Sequence, residues 1–129
     1  MTAMIYTTYF ANLRKLPASI TPISICGKAP AWFTGPQYKV LAPKYGFFIV
    51  WKNTHDNDYY VRCFNAEVLA PLSCEQVLKD LSALAAGDVA LVCYEKPTDF
   101  CHRHLVSAWL REHGIPCCEW GQATQENTP

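Results

Sequence analysis

The sequence predicts an α/β fold: a single three-layer domain with a mainly parallel sheet flanked by helices. Two observations carry this prediction. Strand-like and helix-like segments alternate in the second half of the chain. Residues 89–94, VALVCY, are almost all apolar, which is typical of a central strand buried on both faces. Since 129 residues suit one domain, we place it at residues 1–120, followed by a polar C-terminal tail at residues 121–129.

The first half of the chain predicts two strands, a loop and one ambiguous segment. Residues 4–10 and 20–26 are rich in β-branched and aromatic types, which favours strands. Glycine and proline punctuate a loop at residues 27–36. Residues 44–52 contain a central apolar run that fits either a buried strand or a helix packed on most of its faces.

Two helices are predicted next. Residues 55–72 carry apolar side chains at helical spacing, and Asp56 or Asp58 can cap the helix start. Residues 73–87 form a second helix, for which Ser73 begins a capping-box pattern.

The chain after the buried strand predicts one more helix and a last strand. Asp99 is the expected N-cap of a helix at about residues 100–113, and Gly114 ends that helix. Residues 115–120 predict a short final strand.

The composition excludes some classes of function. The 11 acidic and 11 basic residues cancel, which argues against a strongly basic nucleic-acid footprint, although a local basic patch stays compatible with it. No apolar run reaches the roughly 20 residues that cross a bilayer, and the N-terminus lacks a signal-peptide pattern. We therefore expect a cytoplasmic protein with no membrane partner. The odd number of cysteines, seven, argues against a secreted disulfide framework.

Reactive side chains gather where the apolar strand ends. Ligands of open parallel sheets bind beyond the carboxyl ends of the strands, so we expect a site there. The candidate residues are Cys93, Glu95, Cys101, His102 and Arg103.

Each of these residues has a chemical role that its type and position favour. Cys101, in the first turn of a helix beside cationic groups, would be a nucleophile or an anion-facing thiol. Glu95 would act as a general base or orient an imidazole, and His102 and Arg103 would hold an anion. Cys93 shares a strand face with Glu95 and would approach the helix start.

Other interpretations of this junction stay open. Cys93 can be a core residue beside a capped, solvated turn. Cys93, Cys101 and either His102 or His104 are plausible zinc ligands, but their spacing is not a standard zinc pattern and there is no second C-x2-C knuckle. A redox pair of the two cysteines lacks the usual C-x-x-C spacing. We therefore predict no metal and no cofactor.

A second patch precedes the ambiguous segment, at residues 25–33, ICGKAPAWF. Lys28 brings a charge there, and Trp32 can stack on a flat ring, although its indole can equally plug the core. Tyr9, at the end of the first strand, is a third candidate for ligand binding, and ordinary strand alternation explains it equally well.

The chain also resembles a known family. LVCYEKPTDFCHRHLVSAWL resembles the signature of the domain of unknown function 488 (DUF488) family, C-x-E-x5-C-H-R followed by an amphipathic helix. IYTTYFANLRKLP, PISICGKAPAWF and YKVLAPKY resemble its shorter subgroup, so the resemblance spans about residues 4–120. It implies a compact three-layer α/β domain but no reaction, substrate or cofactor. Lys28 stands near a position where members often carry arginine, which puts a bidentate contact there in doubt. The motif falls on Cys93, Glu95, Cys101, His102 and Arg103.

We predict a small cysteine-containing enzyme or binder that acts on a nucleotide or another anionic small molecule. The alternative is a non-catalytic module that recognises nucleic acid or a protein through its tyrosines, Trp32, Arg14, Lys15 and Lys28. A metal-stabilised structural domain is a third interpretation.

Two expectations concern geometry. The side chains of Cys93 and Cys101 should lie close together at the strand-to-helix junction. Arg103 should be partly structural, donating to carbonyls of residues 95–98 or pairing with Glu95.

Overall fold

The computed structural model describes residues 3–121, so the predicted tail lies outside the described residues except for Gly121. Four parallel strands form one sheet in the order β2-β3-β1-β4, which confirms the predicted α/β domain. The strands are β1 (Ile5–Tyr9), β2 (Ile20–Ser24), β3 (Asp88–Cys93) and β4 (Cys117–Glu119). The helices are α1 (Tyr45–Thr54), α2 (Asn57–Phe64), α3 (Cys74–Leu84) and α4 (His102–Glu112), with a π turn at Asn65–Leu69 and 3-10 turns at Phe10–Lys15 and Lys39–Leu41.

The central position of β3 fixes the location of the reactive residues. β3 pairs with β2 on one side and β1 on the other, and its residues from Val89 to Cys93 are all buried. The prediction of a central strand is therefore confirmed. The parallel register sets Cys93 beside Tyr9, so the carboxyl ends of the two middle strands meet at one edge of the sheet.

The ambiguous segment is the helix α1. Its Phe47 is buried and makes edge contacts with Tyr60 and Phe64 of α2. Helical spacing places Phe48 and Trp51 on one face, and their rings stack with centroids 6.3 Å apart.

Two of the predicted helix starts are confirmed by their hydrogen bonds. Asp56 caps α2, since its carboxylate accepts from the backbone N–H of Tyr59 at 3.1 Å. Ser73 caps α3 by accepting from the N–H of Gln76 at 3.2 Å. The Gln76 side chain donates to Asp80 rather than turning back to Ser73, so only half of the capping box forms.

The predicted start of the last helix is wrong. α4 begins at His102, and its N-cap is Cys101, whose backbone is extended and whose side chain makes no capping bond. Asp99 lies earlier, in a turn in which its N–H donates to the carbonyl of Lys96. Residues 94–101 form no helix or strand, Cys101 is bonded to Cys93, and the helix begins at the next residue. Gly114 follows the helix with a φ of 80°, a left-handed conformation that glycine adopts without strain.

No helix among the described residues is long and apolar enough to cross a membrane.

Candidate functional site

Cys93 and Cys101 meet at the junction of β3 and α4, where a disulfide joins them. Their Cα atoms are 7.6 Å apart. The expectation that the two side chains lie close together is confirmed. Both residues are buried, with exposed fractions of 1% and 4%, although both line the same cavity.

His102 lies beside this pair in a fixed orientation. Its Nε2 is 2.7 Å from the backbone carbonyl of Ile25. A carbonyl can only accept, so Nε2 carries the proton and Nδ1 keeps a lone pair. Burial, reinforced by the neighbouring charge of Arg103, lowers the pKa of His102 from 6.5 to about 4. The ring is therefore neutral near pH 7 and offers an acceptor rather than a positive charge.

Two sulfurs and one imidazole nitrogen form a compact group. The ligand atoms of Cys93, Cys101 and His102 all lie within 4.8 Å of one another, and all three residues are buried. His104, the other histidine considered as a metal ligand, does not belong to this group.

Arg103 is fully buried beneath the cluster, and its guanidinium donates hydrogen bonds to other groups of the protein. Its Nε and Nη2 donate to the two carboxylate oxygens of Glu119, at 3.1 and 2.9 Å. Its Nη1 donates to the carbonyl of Glu95 at 2.6 Å and to Sγ of Cys93 at 3.4 Å. The expected donation to the loop carbonyls is confirmed. The carboxylate that pairs with Arg103, however, belongs to Glu119.

The Arg103–Glu119 pair is part of a larger buried network. Thr7 of β1 donates to Glu119 at 2.7 Å, and the ring of Tyr9 lies 5.8 Å from the guanidinium carbon. This network joins β1, β4, α4 and the loop after β3. Arg103 therefore holds the backbone that carries Cys93 and Glu95.

A cavity of about 650 Å³ opens above the cysteine pair. The cysteines and His102 contribute to its lining, and Glu95, Lys28 and Lys52 supply charged groups. Most of the remaining wall is aromatic. The rings are those of Tyr45, Phe48, Trp51, Tyr60, Tyr94 and Phe100.

The charge of Glu95 affects the pKa of Tyr60, whose phenol lines the same cavity. The pKa of Tyr60 is raised above its ordinary value, first by burial and then by the Glu95 carboxylate. Glu95 itself is exposed, and no hydrogen bond joins its carboxylate to any residue between 3 and 121. Its carboxylate is thus available to a ligand in the cavity.

The structure brings together five of the eight residues that the sequence singled out. The other three lie outside the cavity lining. Arg103 is buried below it, Tyr9 packs over Arg103, and Trp32 is 61% exposed on a patch in which its ring contacts Phe10. The five that line the cavity are Cys93, Glu95, Cys101, His102 and Lys28.

Sequence reasoning missed the α1 wall and the acidic partner of Arg103. The sequence contains a signal for the wall, because Phe48, Trp51 and Lys52 recur at helical spacing in the segment that fits either a strand or a helix. The signal for Glu119 is weaker: it is the acidic residue of the last strand, at the edge of the sheet where the site is expected.

The model of the DUF488-N3a family, described as the active DUF488-N3 subclade, matches residues 18–114. No curated protein and no solved structure matches the chain.

Proposed function

Because the chain belongs to the DUF488-N3a family, a subclade described as active, we propose that it is a small enzyme. Its ligand would be a nucleotide or another small anionic molecule with a flat ring, bound in the aromatic cavity. One observation carries this proposal: the buried Cys93–Cys101–His102 cluster lies in the lining of a ligand-sized cavity. Small-molecule sites are typically about 300–1,000 Å³, mostly apolar, with a few polar groups that converge.

The aromatic wall supports a planar ligand. Tyr45 is 77% exposed, while Phe48 and Trp51 present a stacked face to the cavity. Stacking of a base on an aromatic side chain contributes about 1–3 kcal/mol. An aliphatic ligand would gain less from these rings, so a nucleobase or a similar ring fits this wall best.

Two lysines support an anionic group on that ligand. Lys28 and Lys52 both line the cavity and both are exposed. The Lys52 ammonium lies 5.7 Å from the centre of the Phe48 ring, which places it at the edge of the stacking surface. A phosphate attached to a stacked ring would meet these two charges. Arg103 would support the site by holding its backbone, because its donors are already engaged.

The reacting groups would lie at the opposite end of the ligand. The disulfide yields two thiols when a cellular dithiol supplies two electrons and two protons. In the reduced state the Cys101 sulfur would face the ligand, and the Glu95 carboxylate would accept or return a proton. His102, neutral and fixed by Ile25, would accept a hydrogen bond rather than bind an anion.

Titration of the reduced protein with nucleoside monophosphates, followed by tryptophan fluorescence, tests the binding proposal. Tyr45→Ala should raise the Kd about 5- to 150-fold, which corresponds to the loss of about 1–3 kcal/mol of stacking, and Lys52→Gln should raise it about 3- to 30-fold. Lys52→Gln should leave the affinity for the uncharged nucleoside unchanged. Lys79→Gln, an exposed lysine outside the cavity lining, is the matched control and should have no effect.

The same assay separates this function from the nucleic-acid alternative. The exposed Trp32 would be a stacking platform for a single strand. If a short oligonucleotide binds and Trp32→Ala abolishes that binding while Tyr45→Ala does not, the cavity proposal fails. It also fails if no mononucleotide binds up to millimolar concentration.

A further inference from the structure

We infer that the reduced cluster of Cys93, Cys101 and His102 is a binding site for one zinc ion. Two thiolates and one imidazole are ligands that zinc favours, and Cys2His with an open fourth position is the ligand set of some catalytic zinc sites. The inference goes beyond the proposed function, because the metal would bind whether or not a ligand occupies the cavity.

The spacing of the three side chains suits a shared metal. Their donor atoms lie within 4.8 Å of one another. Two sulfurs bound to one tetrahedral zinc, each at about 2.3 Å, would be about 3.8 Å apart. The Cα atoms of the cysteines are 7.6 Å apart, wider than the roughly 4.4–6.8 Å usual for a disulfide. Thiolates that share a metal do not have to meet that span.

A backbone hydrogen bond already fixes the tautomer of the His102 imidazole. Metal-bound histidines usually donate their second ring N–H to a carbonyl or a carboxylate, which fixes the tautomer. His102 makes this bond through Nε2 to the Ile25 carbonyl at 2.7 Å, so its lone pair lies on Nδ1. β2, which immediately precedes Ile25, thus helps to set the angle of the ring.

The sulfur of Cys93 accepts a hydrogen bond from Arg103. The Arg103 Nη1 lies 3.4 Å from the Cys93 sulfur, and the charge of the guanidinium is balanced by Glu119. A donor in this position can support a sulfur ligand of a metal without competing for the metal, because a guanidinium has no lone pair to offer. The fourth metal position would face the cavity, where water or the ligand can reach it.

Oxidation and metal binding exclude each other at this site. Reduction of the disulfide by a cellular dithiol adds two electrons and two protons and gives two thiols. Zinc then displaces both protons, and the sulfurs become ligands. In the zinc-bound state Cys101 is no longer a free nucleophile, so the metal would be the group that faces a ligand in the cavity.

Metal analysis of the reduced, chelator-treated protein tests this inference. After incubation with zinc and removal of the excess by dialysis, we expect about one zinc per chain, and cobalt should give the absorption of tetrahedral thiolate coordination. Cys101→Ser and His102→Gln should each lower zinc retention at least 10-fold. Cys26→Ser is the matched control: Cys26 is buried and lines the same cavity but lies outside the cluster, so this variant should keep its zinc.

Two results would overturn the inference. One is a reduced wild-type protein that retains no zinc and shows no thiolate–cobalt absorption. The other is a folded Cys101→Ser variant that retains as much zinc as the wild type. If the variants do not fold, two measurements on the wild-type protein decide the question: the cobalt spectrum, and whether bound zinc protects Cys93 and Cys101 from an alkylating reagent. Because no nucleotide is present, zinc binding and nucleotide binding can fail separately.

Discussion

The buried pair of Arg103 and Glu119 gives the sharpest prediction for stability. Replacing Arg103 by methionine keeps most of the apolar stem but leaves the Glu119 carboxylate, whose side chain is 8% exposed, without its cation. Removal of one partner of a buried pair costs about 3–5 kcal/mol, because the other charge stays buried and uncompensated. We therefore expect Arg103→Met to lower the free energy of unfolding by that amount.

The double-mutant cycle isolates the pair itself. Glu119→Gln removes the carboxylate charge, and the double variant removes both charges together. Arg103 also donates to Glu95 and Cys93, so part of the stability lost in Arg103→Met is not recovered in the double variant. We expect the double variant to be more stable than the sum of the single losses predicts, with a coupling of about 1.5–3 kcal/mol.

Urea unfolding at pH 7, followed by circular dichroism with the disulfide intact, measures this coupling. Glu95→Gln is the control, because Arg103 donates to the backbone carbonyl of Glu95 and not to its side chain. The losses of stability in Glu95→Gln and Arg103→Met should therefore be additive. If Arg103→Met and Glu119→Gln are additive to within about 0.5 kcal/mol, the two side chains do not interact and the network is refuted.

Three further predictions follow from single contacts. In the disulfide-bonded protein, the free energy of unfolding should fall as the pH drops from about 6.5 towards about 4, because His102 takes up a proton in the unfolded chain but stays neutral when buried. The loss should be about 3 kcal/mol at the acid end of this window. It should be absent in His102→Gln when urea unfolding is compared across pH. Ser73→Ala should cost about 1 kcal/mol in thermal unfolding by removing the cap of α3, and Ser73→Asp should restore it. Tyr38→Phe should raise the pKa of Asp80, because the hydrogen bond from the Tyr38 phenol is the largest cause of the lowered pKa of this carboxyl. NMR titration measures the change, and an unchanged pKa would contradict the contact.

The elements that local sequence determines were predictable. Caps depend on side chains within a few residues of the helix start, so Asp56 and Ser73 could be assigned from spacing alone. The apolar run of β3 identified a central strand because both of its faces are covered. The start of α4 was not predictable in this way. Asp99 precedes a helical pattern as a cap does, but α4 begins at His102, directly after the Cys101 that is bonded to Cys93.

Contacts between distant segments could not be read in the same way. Arg103 lies in α4 and its partner Glu119 lies 16 residues further along the chain, in β4. Only the order of the strands in the sheet brings Glu119 close to Arg103. The aromatic wall depends on how α1 packs over the carboxyl edge of the sheet, which periodicity does not specify. The motif identified the floor of the cavity, whereas the wall that would select a ligand came from tertiary packing.

NMR mapping of ligand binding tests the central claim, that the cavity above the cysteine cluster is the site. Backbone amide spectra of the reduced, nitrogen-15-labelled protein would be recorded during titration with the nucleoside monophosphate that binds best. We predict the largest shifts in residues that line the cavity, which include Cys26, Gly27, Lys28, Tyr45, Phe48, Trp51, Lys52, Cys93, Tyr94, Glu95, Phe100, Cys101 and His102. Shifts concentrated on Trp32 and its neighbours, or spread over α3, would contradict the account.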